Sequence, residues 1–248
     1  MEIDYAEFNN PRLAKIYDSF NALTDDETFW LKKIESLHVT NISDLGCGTG
    51  LLTCKLAGFG YNITGIDPAS SMLEVAKNKL YADKVKWRKG SSEQLEKNSN
   101  DLVVMTSHVA QFFVKNYEWN KSLKDIYDSL KPGAYLLFDS KNPLLEPWKK
   151  FNKEESCRIL ESSEGKVESW IELISIKGNK VQFKIHYLFI DTEEKMVSNM
   201  ELVYRSKNQL IKDLEQNGFE LQKIYGNWDG RNLNENSPEM IFLAKKKY

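Results

Sequence analysis

Two stretches of this chain, residues 101–106 and 134–139, are almost continuously apolar, and the segments around them carry apolar residues at helical spacing. A strand that is apolar on both faces has to be covered on both, which happens when helices pack on the two sides of a parallel sheet. The alternation begins with a strand at 41–45, a helix over 51–57 stopped by Gly58 and Gly60, and a strand at 62–66. Ser70 or Ser71 can then cap a helix with apolar positions Met72, Val75, Ala76 and Leu80. A strand at 84–87, a helix at 92–97, the strand 101–106 and a helix marked by Trp119, Leu123, Ile126, Tyr127 and Leu130 follow, and Lys131-Pro132-Gly133 turns the chain into 134–139. The pattern predicts an α/β fold with a doubly wound, mostly parallel sheet.

Beyond Asp139 the period changes. Val181, Phe183, Ile185, Tyr187 and Phe189 alternate with Gln182, Lys184, His186 and Leu188, the rhythm of a half-buried antiparallel strand. Lys177-Gly178-Asn179-Lys180 joins it to a neighbour at 169–176 as a hairpin, and 196–204 supplies a third strand. A small antiparallel β insertion over 150–205 is therefore expected, lying over the carboxyl edge of the main sheet. The core comprises 1–149 and 206–248: Ser206 caps a helix over 207–217, and strands 220–225 and 239–245 form an antiparallel edge. The first 30 residues, rich in aromatic side chains, read as a helical lid.

Composition excludes several classes of function. The chain has 248 residues, with 34 Lys+Arg against 36 Asp+Glu and a net charge of -2. A dedicated nucleic-acid binder carries a basic excess, because phosphate neutralisation dominates its affinity. No run approaches the roughly 18 apolar residues of a membrane span, and the acidic start has no apolar signal core. Cys47, Cys54 and Cys157 read as free thiols with no metal-ligand spacing. These features predict a cytoplasmic monomer or homodimer with no metal, membrane or nucleic-acid partner.

In doubly wound sheets ligands sit beyond the carboxyl ends of the strands, where strand order reverses. The first strand-to-helix turn there is Asp44-Leu45-Gly46-Cys47-Gly48-Thr49-Gly50, and its glycines permit close backbone approach to an anion at a helix N-terminus. Asp67 closes the second strand, where a carboxylate accepts hydrogen bonds from both hydroxyls of a ribose. Together they describe a site for a nucleoside bearing an anionic group.

Glycines at alternate positions, with an acid two residues before the first, resemble motif I of class I S-adenosylmethionine-dependent methyltransferases. Asp67-Pro68-Ala69-Ser70-Ser71-Met72 is similar to that family's ribose-binding segment, with Asp67 as the ribose acid and Met72 flanking the adenine. Gly90-Ser91-Ser92 resembles the turn at the adenine edge, although many members have Asp where this chain has Ser91. Residues 101–113 and 130–139 resemble the fourth- and fifth-strand motifs. The segment 225–244 is similar to the ending of small-molecule methyltransferases with an antiparallel insertion, including amino-sugar N-methyltransferases.

The resemblance implies a seven-stranded sheet and S-adenosylmethionine held by Asp44, Gly46, Cys47, Gly48, Gly50, Asp67, Pro68, Met72, Ser91, Ser92 and His108. It implies methyl transfer to a nitrogen or oxygen atom of a small-molecule acceptor. His108, Tyr17 and Asp139 are the candidates to take the acceptor's proton, and Trp148, Tyr187, Tyr225 and Trp228 are candidate acceptor-pocket residues. Two alternatives stand beside it, an NAD(P)-dependent oxidoreductase and a non-catalytic S-adenosylmethionine-binding protein. Asp67→Ala removes hydrogen bonds to a charged acceptor worth about 1.5–3 kcal/mol each. Calorimetric titration with S-adenosylhomocysteine is expected to show binding weaker by about a hundredfold or more; unchanged affinity refutes the ribose role.

Overall fold

A computed structural model of the chain describes residues 5–22 and 25–247. Residues 1–4, 23 and 24, which belong to the expected lid, and residue 248 lie outside the described residues. Strands β1 (Asn41–Leu45), β2 (Asn62–Asp67), β3 (Lys86–Lys89), β4 (Asn100–Met105) and β5 (Leu130–Lys141) come first. Next are β6 (Arg158–Ser162), β7 (Gly165–Lys177), β8 (Lys180–Phe189) and β9 (Glu194–Val203), then β10 (Phe219–Tyr225) and β11 (Glu239–Lys246). The main sheet has seven strands in the order β10-β11-β5-β4-β1-β2-β3. All run parallel except β11, which is antiparallel to β5 and β10. Strand order reverses between β1 and β4, which places the crevice there. The expected doubly wound, Rossmann-like class is the observed one.

The period of two along a strand explains the apolar runs. Val103 and Met105 of β4 point to a core shared with Trp119, Leu123, Leu136, Phe138 and Phe242, while Leu102 and Val104 point to the opposite core with Trp30, Ile34, Leu52 and Leu137. Phe138 and Phe242, opposite each other on β5 and β11, stack with centroids 5.0 Å apart. Helices α1 (Ala6–Asn9), α2 (Pro11–Phe20), α3 (Asp25–Ser36), α4 (Leu51–Gly58), α5 (Ser70–Lys77), α6 (Asn116–Ser129), α7 (Lys153–Ser156) and α8 (Lys207–Gln216) complete the chain. The α6 and α8 helices cover the first core, and α3 and α4 the second.

The insertion is a four-stranded antiparallel sheet, β6-β7-β8-β9. Gly178, at φ 61°, closes the β7–β8 hairpin where the sequence placed it. Strand β6 was not foreseen, since its pattern is too short and polar to register. Val167, Tyr187 and Phe189 pack on Leu13, Ile16 and Phe20 of α2, so this sheet grips the N-terminal helices.

Three local expectations need correction. Residues 92–97 form only a short 3-10 turn, Ser92–Gln94, because Ser92 Oγ is tied to Ser122 and Asp125 of α6. The third strand is Lys86–Lys89 rather than 84–87, since a 3-10 turn occupies Ala82–Lys84. Neither Ser70 nor Ser71 caps α5: Ser71 Oγ donates to the Asn9 carbonyl at 2.7 Å, while the Asp67 carboxylate accepts from Ala69 N–H at 2.8 Å.

Phe138 is fully buried among Trp119 and Phe242. Phe138→Ala is expected to destabilise the fold by about 3–5 kcal/mol, measured by denaturant unfolding.

Candidate functional site

At Leu45 the chain must leave the sheet at once to start α4. Gly46, Gly48 and Gly50 make this turn at φ 77°, 53° and 75°, a region that side chains disfavour. Space is closed as well: a Cβ on Gly46 would lie 2.5 Å from Val109 Cγ2, and one on Gly50 2.7 Å from the Trp87 ring. The N–H groups of Gly46 and Cys47 donate to the Ile66 carbonyl at 2.8 and 3.1 Å. Gly48 N–H donates to Asp67 Oδ2 at 2.9 Å and Ala69 N–H to Oδ1 at 2.8 Å. Burial pushes the Asp67 carboxyl up to about 6, against the opposing pull of these two donors.

A cavity of about 610 Å³, including its open mouth, lies beyond these strand ends. Of the residues singled out from the sequence, Tyr17, Gly46, Gly48, Asp67, Pro68, Met72 and Ser91 line it. Phe8, Leu45, Ala69, Ser107, Val109, Phe112 and Phe113 complete the wall. Phe112 stacks edge-on against Phe8, and Phe8 against Tyr17, forming an aromatic roof. That roof is latched: Asp18, one residue beyond Tyr17, accepts from Thr49 Oγ1 in the glycine turn and pairs with Lys79. Asp18 and Phe112 carried no sequence signal, because their partners are distant in the chain.

Other expected site residues lie outside the cavity wall. Asp44 is buried, accepting from Thr53 Oγ1 at 2.6 Å through Oδ2, while its Oδ1 has no partner. Cys47 packs against Gly65, with its thiol pushed well up by burial and then by the nearby Asp67. Gly50 starts α4, and Ser92 is bound to α6. Tyr187 donates to Glu7 Oε1 at 2.8 Å, and Trp148 packs on Tyr204. Tyr225 and Trp228 stack on Phe29, across the main sheet from the first core, and line a separate surface groove. They do not join this cavity. Burial, and secondarily the charges of Glu7, Asp67 and Asp18, push the Tyr17 hydroxyl far above its ordinary value.

His108 and Asp139 do meet, and Glu239 joins them. His108 N–H donates to Asp139 Oδ2 at 3.0 Å, and His108 Nε2 lies 2.9 Å from Glu239 Oε2 and 3.1 Å from Asp139 Oδ2. Lys141 pairs with the other Glu239 oxygen. Burial, together with the charge of Glu239, pushes Asp139 up to about 6. Glu239 experiences the same burial, but His108 and Lys141 outweigh it and hold its carboxyl below the usual range. The residues on either side of His108, Ser107 and Val109, line the cavity.

Comparison with known proteins agrees with this geometry. Residues 43–138 match the family described as "Methyltransferase domain". A malonyl-[acyl-carrier protein] O-methyltransferase from Priestia megaterium is 32% identical over 145 residues, covering 54% of this chain and 49% of that protein. The chain thus spans about half the length of the curated relatives it matches. Among solved structures, an S-adenosylmethionine-dependent methyltransferase from Clostridium acetobutylicum superposes with TM-score 0.77 at 18% identity, covering 96% of this chain and 98% of that one. A sugar N-methyltransferase from Streptoalloteichus sp. gives TM-score 0.75 at 15% identity, covering 94% and 92%.

Burial pushes the Asp44 carboxyl up to about 6, so the folded chain holds that proton more tightly than the unfolded one, whose value is about 3.9. Stability from this group is full below pH ~4 and is lost as pH rises through about 6. In thermal melts, Asp44→Asn is expected to gain melting temperature relative to the parent protein at pH 8, and to lose that gain at pH 4.

Proposed function

We propose that this chain, which carries a methyltransferase domain on the class I fold, transfers a methyl group from S-adenosylmethionine to a nitrogen or oxygen of a small molecule. The observation that carries the reading is Asp67, a buried carboxylate on the cavity wall at the reversal of strand order. An ionised carboxylate accepts about four hydrogen bonds. Two of these sites are taken by Gly48 and Ala69, leaving capacity for two ribose hydroxyls.

The rest of the wall fits the same cofactor. Bare backbone at Gly46 and Gly48 admits the amino-acid end, and Met72 and Ser91 flank the base. Pro68 continues that wall, while Asp44, Cys47, Gly50 and Ser92 hold the turns from behind. When bound, S-adenosylmethionine supplies an activated methyl on a sulfonium centre. The work of the chain is to align a lone pair about 3 Å from that methyl and to exclude water, which the roof of Phe8, Tyr17 and Phe112 does.

The acceptor's proton passes to the cluster of His108, Asp139 and Glu239 at the cavity edge. Tyr17, with its raised hydroxyl, remains protonated and serves as a donor that orients the acceptor. The acceptor is a small molecule, consistent with a net charge of -2, and no helix among the described residues is long and apolar enough to cross a membrane. We place the protein in the cytoplasm. The nicotinamide alternative has no supporting observation.

Calorimetry with S-adenosylhomocysteine and, separately, NADH is expected to show binding of the first only. Tritium from methyl-labelled S-adenosylmethionine is expected to enter the small-molecule fraction of an extract. Binding without any transfer would identify a sensor instead.

A further inference from the structure

We infer that His108, Asp139 and Glu239 form a site for one divalent transition-metal ion, of the zinc or manganese class, at the edge of the cavity. His108 is also among the expected cofactor contacts, but the site rests on its own geometry and stands whether or not methyl transfer is the activity.

One ligand atom from each of the three residues lies within 4.8 Å of the others. The Nε2 to Oε2 and Nε2 to Oδ2 separations, 2.9 and 3.1 Å, suit an ion with bonds of about 2.1 Å, whose neighbouring ligands at right angles sit about 3.0 Å apart. Proton counting points the same way. A neutral imidazole has only one N–H to give, yet Nε2 faces two carboxylates. Asp139 Oδ1, on a residue with 0% exposure, has no partner at all. A dication held by this carboxylate would offset the cost of burying it with one oxygen unpartnered.

The ligands are also held in place. Asp139 Oδ2 is fixed by the His108 N–H, and Glu239 by Lys141, which leaves Oε2 turned to the imidazole. Such outer contacts orient metal ligands. Asp139 and Glu239 stand on the paired strands β5 and β11, and His108 on a loop whose residues Ser107 and His108 take φ of 55° and 64°. Two consecutive left-handed non-glycine residues are a costly conformation that tends to persist at functional sites. One imidazole with two carboxylates suits zinc or manganese better than calcium, and three protein ligands leave coordination positions open. His108, with its side chain 24% exposed, marks the open side.

The test uses tag-free full-length protein, stripped with chelator and titrated calorimetrically with Zn²⁺ and with Mn²⁺ alone. One saturable site with Kd of about 10 μM or tighter is expected for at least one ion. Asp139→Asn and Glu239→Gln should each weaken it by about tenfold or more, whereas His186→Gln, at the exposed His186–Glu172 pair, should leave it unchanged. S-adenosylhomocysteine binding by each variant reports that the fold survives. Failure of the parent protein to bind that nucleoside would overturn the methyl-transfer reading and leave this one standing. In the unaltered protein, Mn²⁺ should broaden the His108 ring resonances before those of His38 and His186. Absence of saturable binding below about 1 mM, or broadening that spares His108, overturns the inference and leaves the cluster a proton-holding network.

Discussion

The Asp67 carboxylate ties the candidate site together. One oxygen accepts the Gly48 N–H from the turn after β1, and the other accepts the Ala69 N–H at the start of α5. Two strand-to-helix turns that are adjacent in space but separate in the chain are thereby fixed to one another. Burial makes ionisation of this group unfavourable, and the two donors offset part of that cost. The residue whose charge would recognise a ribose is therefore also the residue that shapes the cradle. Binding and local order cannot be separated at this position.

The roof depends on contacts in two directions. The α2 helix packs through Ala14 on Ala69 and Met72 beside the cavity, and through Leu13, Ile16 and Phe20 on the second sheet. Asp18 reaches the glycine turn itself. Arg12 adds ion pairs to Glu164 and Glu194 of the insertion, and lies over the Phe189 ring. The insertion thus holds α1 and α2 in place over the cavity, although none of its residues lines the cavity itself. Glu7, buried on the insertion side of α1 and held by Tyr187, is pushed up to about 7 by burial. It places a titratable group at the seam between helix and sheet.

Buried polar groups gather along the carboxyl edge of the main sheet: Asp44 behind the glycine turn, Asp67 at its mouth, and Asp139 with Glu239 beside His108. The two cores that flank the sheet are mainly aromatic and aliphatic, with Asp213 buried against Trp119 on α6 as an exception. A fold without a ligand would gain from apolar residues in place of these carboxylates, because burial penalises their charged forms. Four buried carboxylates thus lie along one edge, which includes the point where strand order reverses.

The sequence by itself determined the layered sheet, the glycine turn, Asp67 and the Gly178 hairpin. These are local facts: the period of apolar residues, the need for positive φ, and an acid at a strand end are each written within a few consecutive positions. The tertiary structure alone decided that Tyr225 and Trp228 face α3 rather than the cavity, that Phe8 and Phe112 close the roof, and that Glu239 meets His108. Each of these depends on partners brought together by strand order and by the seating of the insertion. Side-chain environment at such long separations is set by packing and not by the residues next in the chain. The same limit explains the lost helix at 92–97, where hydrogen bonds from Ser92 to α6 override the local pattern.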